Sequence, residues 1–495
     1  MRILFDSRQT QYKTPFGTLR TGECCVLQIR IPTEVGASGV RLMLEDSEHA
    51  VCAELPFSFA SRGEDGYELW RLEFTRQETG LHFYWFRIDK RGGGSFRLFR
   101  QGRDTNMEAG EKWQLSVIPA DFRVPDFAPG AVMYQIFPDR FARSGSSDLT
   151  GKLQPFWVHE SPDELPEYRP DAHGEVRNND FFGGNFAGIR EKLPYLQELG
   201  VGVLYLNPIF MAWSNHRYDT ADYRRPDPML GTEEDFRALC DAAHARGMRV
   251  ILDGVFSHTG SNSVYFDAKH VFGHGAASDP NSPYRRWYRF HHYPDDYEAW
   301  WGIRTLPCVE ELDETYLNYI IEDEDSVIAH WLRLGADGFR LDVVDELPDE
   351  FVRRLRRRMR QIDPQSLLLG EVWEDASNKR AYGVSRRYFV DGELDSVMNY
   401  PWRNAIVAFL TDADDGTALG ESLMTLAENY PPEVLSCVMN HLGTHDTPRI
   451  LTVLGEPFRG TKDERAHRRM TPVQRKTALM RLRMAVFLQF TLPGM

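Results

Sequence analysis

The segment Gly338 to Glu346, GFRLDVVDE, constrains the chain more than any other, because it reads as a buried strand with two charges on one face. With a period of two, Phe339, Leu341 and Val343 fall on one side and Arg340 and Asp342 on the other. A parallel strand covered by helices is normally apolar on both faces, so an Arg and an Asp pointing the same way must pair with each other or with a ligand. Alone, an Arg-x-Asp is more readily a structural ion pair at a strand end than a functional one. Its neighbours along the chain decide between the two.

From Ala131 onward, strands alternate with amphipathic helices. Strands are expected at AVMYQIFPDRF, VGVLYLNPIF, MRVILDGVFSH, the opening segment, SLLLGEVWE, SVMNYPW and VMNHLGTHD, seven in all. Helices are expected at FAGIREKLPYLQELG, EEDFRALCDAAHARG, TYLNYIIEDEDSVIAHWLRLG and DEFVRRLRRRMRQ. Repeated strand, helix, strand units of this size predict an α/β fold, a (β/α)8-type TIM barrel over 126–495, with a long aromatic and histidine-rich loop or small subdomain at about 259–312. The six arginines between Arg353 and Arg360 suggest a nucleic-acid patch at first sight. Phe351, Val352, Leu355 and Met359 form an apolar stripe at helical spacing, however, so the arginines read as a solvated helix face.

Residues 1–125 follow another grammar. CCVLQIRIP, GVRLMLED, LWRLEF and LHFYWFRID are short, apolar and aromatic, and are broken by turn residues such as RGGG at 91–94. They predict an all-β N-terminal sandwich, with VPDFAPG at 124–130 as the linker out of it. Carbohydrate binding, pairing of two chains as a homodimer and plain shielding are all open for such a module.

Composition narrows the partners. The formal charge is −15, which argues against nucleic acid or an anionic membrane and favours a neutral substrate. MRILFDSRQT has no apolar run suited to a signal peptide, no stretch approaches a membrane span, and the six cysteines show no CxxC spacing, so a cytoplasmic protein with reduced thiols is expected.

In a barrel of this kind the loops at the strands' carboxyl ends build the active site. Four strand ends, DGVFSH, RLDVVDE, GEVWE and LGTHD, offer Asp253, His258, Arg340, Asp342, Glu371, His445 and Asp446. Together with YQIFPDRFA from 134, FFGG at 181, YLNPIF, SNHRYDTADY and TLPCVEELD, these motifs make the chain resemble the α-amylase family of glycoside hydrolases, in its neopullulanase, cyclomaltodextrinase and maltogenic amylase branch.

The resemblance implies a retaining α-glucan hydrolase acting on α-1,4 bonds, with α-1,6 bonds a further option, in maltooligosaccharides, cyclodextrins, pullulan or starch. An exo-acting α-glucosidase, a transglycosylase, or a sugar-binding relative without catalysis are the alternatives. Retaining enzymes of this class use two carboxyl groups roughly 5 Å apart. By the motifs, Asp342 corresponds to the nucleophile and Glu371 to the acid. Arg340 is expected to keep Asp342 ionised, and the apolar Leu369, Val372 and Trp373 to desolvate Glu371.

Asp446 corresponds to the third, sugar-binding carboxylate, His258 and His445 to histidines that hydrogen-bond the sugar, and Tyr218 to the aromatic beneath it. Asp253 corresponds to a brace for the arginine, and Glu346 to a glutamate that affects more distant subsites. Trp300 and Trp301 are candidate stacking platforms, with packing inside their loop as the other reading. No cofactor is needed for this chemistry. RSGSSD at 143–148 stands where relatives often carry a calcium loop, but most amide and acid ligands are missing, which argues against calcium there. Relatives continue into an eighth strand and a C-terminal β domain, so the chain is expected to be a fragment of a longer enzyme with an unclosed barrel edge.

Overall fold

A computed structural model describes residues 2–107, 109–172, 174, 176–455 and 460–495. Its contacts divide the chain into two compact units: 1–123 with 373–395 and 399–436, and 124–372 with 396–398 and 437–495.

The first unit is built on two antiparallel-rich sheets. One runs Lys13–Thr14, Cys24–Pro32, Tyr67–Thr75, Ser58–Arg62; the other is centred on Gly80–Lys90, which pairs with Ala37–Glu45, Ser95–Gln101 and Trp113–Ile118. Cys24–Pro32 buries every second residue along most of its length, and its Leu27, Ile29 and Ile31 join Leu42, Leu44, Phe86, Ile88, Trp113 and Leu115 in one core. That is the sandwich its alternating sequence predicts. The unit also holds the helices Tyr400–Leu410 and Gly416–Asn429. Arg8 reaches the second of these, with Glu421 at 2.7 Å and Glu428 at 3.1 Å.

The second unit carries a parallel sheet in sequential order: Met133–Ile136, Val203–Leu206, Arg249–Gly254, Gly338–Leu341, Leu367–Gly370, Ser396–Val397. Strands two to five are almost wholly buried, as apolar runs capped by helices should be. The sixth expected strand is only two residues long. The seventh reduces to one parallel bridge, Met398 to Met439. Beyond it the Met495 N–H donates to the Val438 carbonyl and the Asn440 N–H to the Met495 carbonyl, at 2.7 and 2.8 Å.

Helices begin where capping chemistry allows. Asn185 accepts the Gly188 N–H ahead of Phe186–Glu198, Thr232 and Asp235 form a reciprocal box ahead of Glu233–His244, and Ser326 opens Val327–Leu334. In Asp349–Ile362 the predicted stripe of Phe351, Val352, Leu355 and Met359 is buried. One arginine departs from the expected solvated face: Arg356 is buried, because its guanidinium folds back toward the Ser366 carbonyl.

Two local features fix the ends of the sheet where chemistry is expected. Lys152 is fully buried, and its ammonium donates to the Ala212 carbonyl at 2.7 Å and the Trp213 carbonyl at 3.3 Å while pairing with Asp227 at 2.8 Å. Phe181 of the FFGG motif lies under that ammonium and under Arg217. The long loop is organised by ring packing, with Tyr265, Phe266, Trp287 and Tyr288 buried, and by Asp267, which accepts the backbone N–H groups of Val271, Phe272 and Gly273. Among the described residues, no helix is long and apolar enough to cross a membrane.

The fourth strand starts at Gly338 for a steric reason. A Cβ there would sit 2.1 Å from the Leu367 carbonyl oxygen of the neighbouring strand. Gly338→Ala should therefore destabilise the fold by about 3 kcal/mol or more, read as a lowered denaturant midpoint at unchanged slope; an unchanged midpoint would contradict the register.

Candidate active site

The parallel ladder places chemistry at one end of the sheet. Asp253 and Arg340 are register partners on the third and fourth strands, and Leu341 pairs with Gly370, so Asp342 and Glu371 leave their strands side by side. The Asp342 N–H donates to the Gly254 carbonyl and the Glu371 N–H to the Leu341 carbonyl, each at 3.0 Å, continuing the ladder through both residues.

Arg340 is the hub, 1% exposed. Its Nη1 donates to Asp253 Oδ1 at 2.7 Å and to Asp342 Oδ1 at 3.0 Å, and its Nη2 lies 2.6 Å from Glu371 Oε2. One guanidinium thus meets three carboxylates. Asp253 is braced further by the hydroxyls of Tyr205 and Tyr218, which donate to Oδ2 at 2.6 and 2.8 Å. Burial and the neighbouring Asp253 hold both phenols well above their ordinary range, so they remain donors.

A second set of side chains supports the first. Tyr218 Oη is 2.6 Å from His445 Nε2, and the two rings stack at 5.3 Å and 6°. Gln135 Nε2 lies 2.9 Å from His445 Nδ1 and donates to Asn207 Oδ1, while Asn207 Nδ2 donates to Tyr218 Oη. Burial and the Arg340 charge push His445 down to about 3, so its imidazole is neutral. With Gln135 donating to Nδ1, Nε2 carries the proton and donates to Tyr218, which donates onward to Asp253. Asp446 Oδ2 is 3.2 Å from the same Nε2.

The electrostatics differ from expectation in two respects. Arg340 lowers the Asp342 carboxyl as anticipated, but burial outweighs it and Glu371, Asp253 and Asp446 add to the push, so Asp342 is raised well above the carboxylate range. Glu371, for its part, meets polar partners beyond the apolar surroundings expected of Leu369, Val372 and Trp373. Its Oε2 meets Arg340 and accepts the Val343 N–H at 3.0 Å, and Trp373 is 46% exposed. Asp446 is pushed up to about 6 by burial and by Glu371, with Arg340 opposing. Asp342, Glu371, Asp253 and Asp446 therefore lie within electrostatic reach of one another.

The remaining residues lie at the edge. His258 is buried, with Ser257 Oγ 3.0 Å from Nδ1, and burial pushes it down to about 4. Its ring is 5.2 Å from that of Trp300. Glu346 ends the short helix Val344–Glu346 and accepts the indole N–H groups of Trp300 and Trp301. Tyr205, Gln135 and Asn207 had no role in the sequence reading, although each lies at or just past the end of the first or second strand, where polar residues are informative. The Val343 amide was missed for another reason: it reaches Glu371 through a left-handed φ of 38° at a β-branched residue, which no sequence pattern signals.

A family profile described as "Alpha amylase, catalytic domain" matches residues 135–472. The chain belongs to the α-amylase family. Within it, the chain is 33% identical over 544 residues to an amylopullulanase of Thermoanaerobacter thermohydrosulfuricus, covering 99% of this chain and 36% of the relative. It is 34% identical over 349 residues to a cyclomaltodextrinase of Geobacillus thermopakistaniensis, covering 69% and 54%. The type III pullulan hydrolase from Thermococcus kodakarensis superposes with a TM-score of 0.63 at 26% identity, covering 99% of this chain and 79% of that one. The chain thus spans about a third to a half of the length of the curated relatives it matches. Family members with these names are TIM-barrel enzymes, and the six-stranded parallel sheet is part of such a barrel.

Two measurements check this electrostatic picture. Arg340→Met leaves buried carboxylates without their cation and should cost about 3–5 kcal/mol at pH 7. Carboxyl groups raised by burial lose stability as pH rises above their unfolded value, so the deficit should shrink on going to pH 4.5; a pH-independent deficit would contradict it. In difference titration, wild type should release about one proton more than Asp446→Asn between pH 5 and 7.

Proposed function

We propose that this chain is the catalytic part of a retaining α-glucan hydrolase that cleaves α-1,4 bonds, with α-1,6 bonds a further option, in maltooligosaccharides, cyclodextrins, pullulan or starch. The observation that carries the reading is that Asp342 and Glu371 share one buried guanidinium at adjacent strand ends, with Asp446 close enough to shift both the Asp342 and its own titration. Two carboxyl groups held so closely suit the retaining geometry, in which no water fits between them.

In the proposed cycle Asp342 attacks the anomeric carbon as Glu371 protonates the departing oxygen. Glu371 then takes a proton from water, which hydrolyses the glycosyl ester and restores both groups. Asp342 must be ionised at the first step, yet burial favours its protonated form. A sugar that fills the pocket supplies hydroxyl donors to Asp342, and the proton must then reside on Glu371. Asp446, His258 and His445, the last two neutral and able to donate or accept, would hold sugar hydroxyls. Tyr218 would present the ring that already stacks on His445. The chemistry requires no cofactor. A cytoplasmic setting belongs to the same reading, supported by an intracellular maltogenic amylase among the relatives, and so does pairing of two chains through residues 1–125.

The test is release of reducing sugar from a maltooligosaccharide by the full chain. Glu371→Gln should lose about 10²–10⁴-fold in kcat, and Asp342→Asn at least as much. Retained activity in Asp342→Asn would sink the nucleophile assignment, and inactivity of wild type on every α-glucan would sink the hydrolase reading.

A further inference from the structure

The His445 ring stands 3.2 Å from the Asp446 carboxyl group and within electrostatic reach of Glu371, two groups that draw a second proton toward it. Burial, the Arg340 charge and His216 oppose that proton. The nitrogen on the far side of the ring faces something more specific, the amide of Gln135. The direction of every hydrogen bond around the ring follows from one end of the chain of contacts.

Asp253 is that end. As the carboxylate paired with Arg340 it only accepts, so the Tyr218 hydroxyl spends its one proton on Asp253 Oδ2 at 2.8 Å. The Tyr218 oxygen must then accept from its other neighbours: Asn207 Nδ2 at 3.0 Å, Arg340 Nη1 at 3.5 Å and His445 Nε2 at 2.6 Å. That places a proton on Nε2. It also turns the Asn207 amide so that Oδ1 faces Gln135, whose Nε2 donates to it at 2.9 Å. The same Gln135 nitrogen carries a second hydrogen, and 2.9 Å away lies His445 Nδ1, which therefore has to accept.

The two constraints are not equivalent. Tyr218 tolerates an imidazolium, because it asks only that Nε2 be protonated. Gln135 does not: a proton on Nδ1 would set two donors against each other. Turning the Gln135 amide over would relieve that clash only by setting its oxygen against Asn207 Oδ1. Asn207 is buried, and its backbone N–H donates to the Ile136 carbonyl at 2.9 Å, so the strand holds it in place.

We propose that Gln135 is a positioning residue that bars protonation of His445, with Asn207 as its lock, and so keeps the ring from taking the proton that Glu371 needs. The protonation state of the ring follows from the hydrogen bonds alone. Its bearing on catalysis rests on the hydrolase reading above.

The test is histidine 15N NMR on the full chain carrying Gln135→Glu or Gln135→Met, the His445 signals being those lost in His445→Asn. Wild type should show a neutral ring protonated on Nε2 at pH 5 and at pH 7. Glutamate matches glutamine in shape but turns the donor into an acceptor. Gln135→Glu should therefore raise the titration of the ring by about 1–3 units and show imidazolium at pH 5 that wild type lacks. Methionine is the poorer match in shape and removes the donor without adding a charge. In Gln135→Met the ring should stay protonated on Nε2, with the Nδ1 resonance moved toward that of an unbonded nitrogen. In release of reducing sugar, kcat should fall about tenfold or more in Gln135→Glu and less than about threefold in Gln135→Met. A residue that only fills space gives the reverse order. The proposal is overturned by imidazolium or an Nδ1-protonated ring in wild type at pH 5. A neutral Nε2-protonated ring in Gln135→Glu at that pH overturns it too, as does wild-type kcat in that variant or a larger loss in Gln135→Met. If Gln135→Glu does not fold, an unchanged Nδ1 resonance in Gln135→Met overturns it and a moved one supports it. If wild type hydrolyses no α-glucan while the ring behaves as expected, the hydrolase reading fails and the bar on protonation stands.

Discussion

A single buried guanidinium organises the catalytic end of this molecule. Arg340 is out of water and would be prohibitively costly there without counter-charges, so the fold surrounds it with Asp253, Asp342 and Glu371. The carboxylates need the arginine just as much, and removing it leaves all three without the cation they share. Within this cluster Tyr205 and Tyr218 are both spent on Asp253. The brace has to be anchored for the fork of the guanidinium to point at the other two groups.

The same arrangement leaves a surplus of acid over base. Three carboxylates contact one arginine and a fourth, Asp446, acts at longer range, while the two histidines are neutral. Burial and the neighbouring carboxylates therefore raise the Asp342 carboxyl well above its ordinary range. The reaction proposed needs Asp342 ionised and the proton on Glu371. Binding of a sugar thus has to do more than fill space: it replaces water and hydrogen-bonds the nucleophile, and so redistributes a proton between neighbours.

Much of this was legible in the sequence because it depends on period and position. The odd charged face of GFRLDVVDE, the apolar stripe under the arginine-rich helix, and the strand ends at Asp253 and Glu371 all follow from side-chain periodicity and from where strands stop. Cross-strand consequences were not legible. Gln135 and Asn207 gain meaning only once two strands are set in register beneath His445, and Arg356 is buried because a carbonyl ten residues on receives it. The polar partners of Glu371 were not legible for a similar reason. Its sequence neighbours are apolar, but the groups that meet its oxygen come from the adjacent strand and from the backbone of Val343. Strand length was not legible either: of the seven expected strands, the sixth has two residues and the seventh is one bridge between Met398 and Met439.

Lys152 bears on how durable the loops near the FFGG motif are. Two backbone carbonyls and a carboxylate converge on its ammonium, a set of oxygens that elsewhere in nature often gathers around a free ion. Here the positive charge is tethered to the polymer by four methylenes. It cannot be diluted away or captured by a chelator, and its occupancy does not follow the composition of the medium. The junction between residues 152, 212 and 227 is thereby made part of folding itself, complete as soon as the chain is.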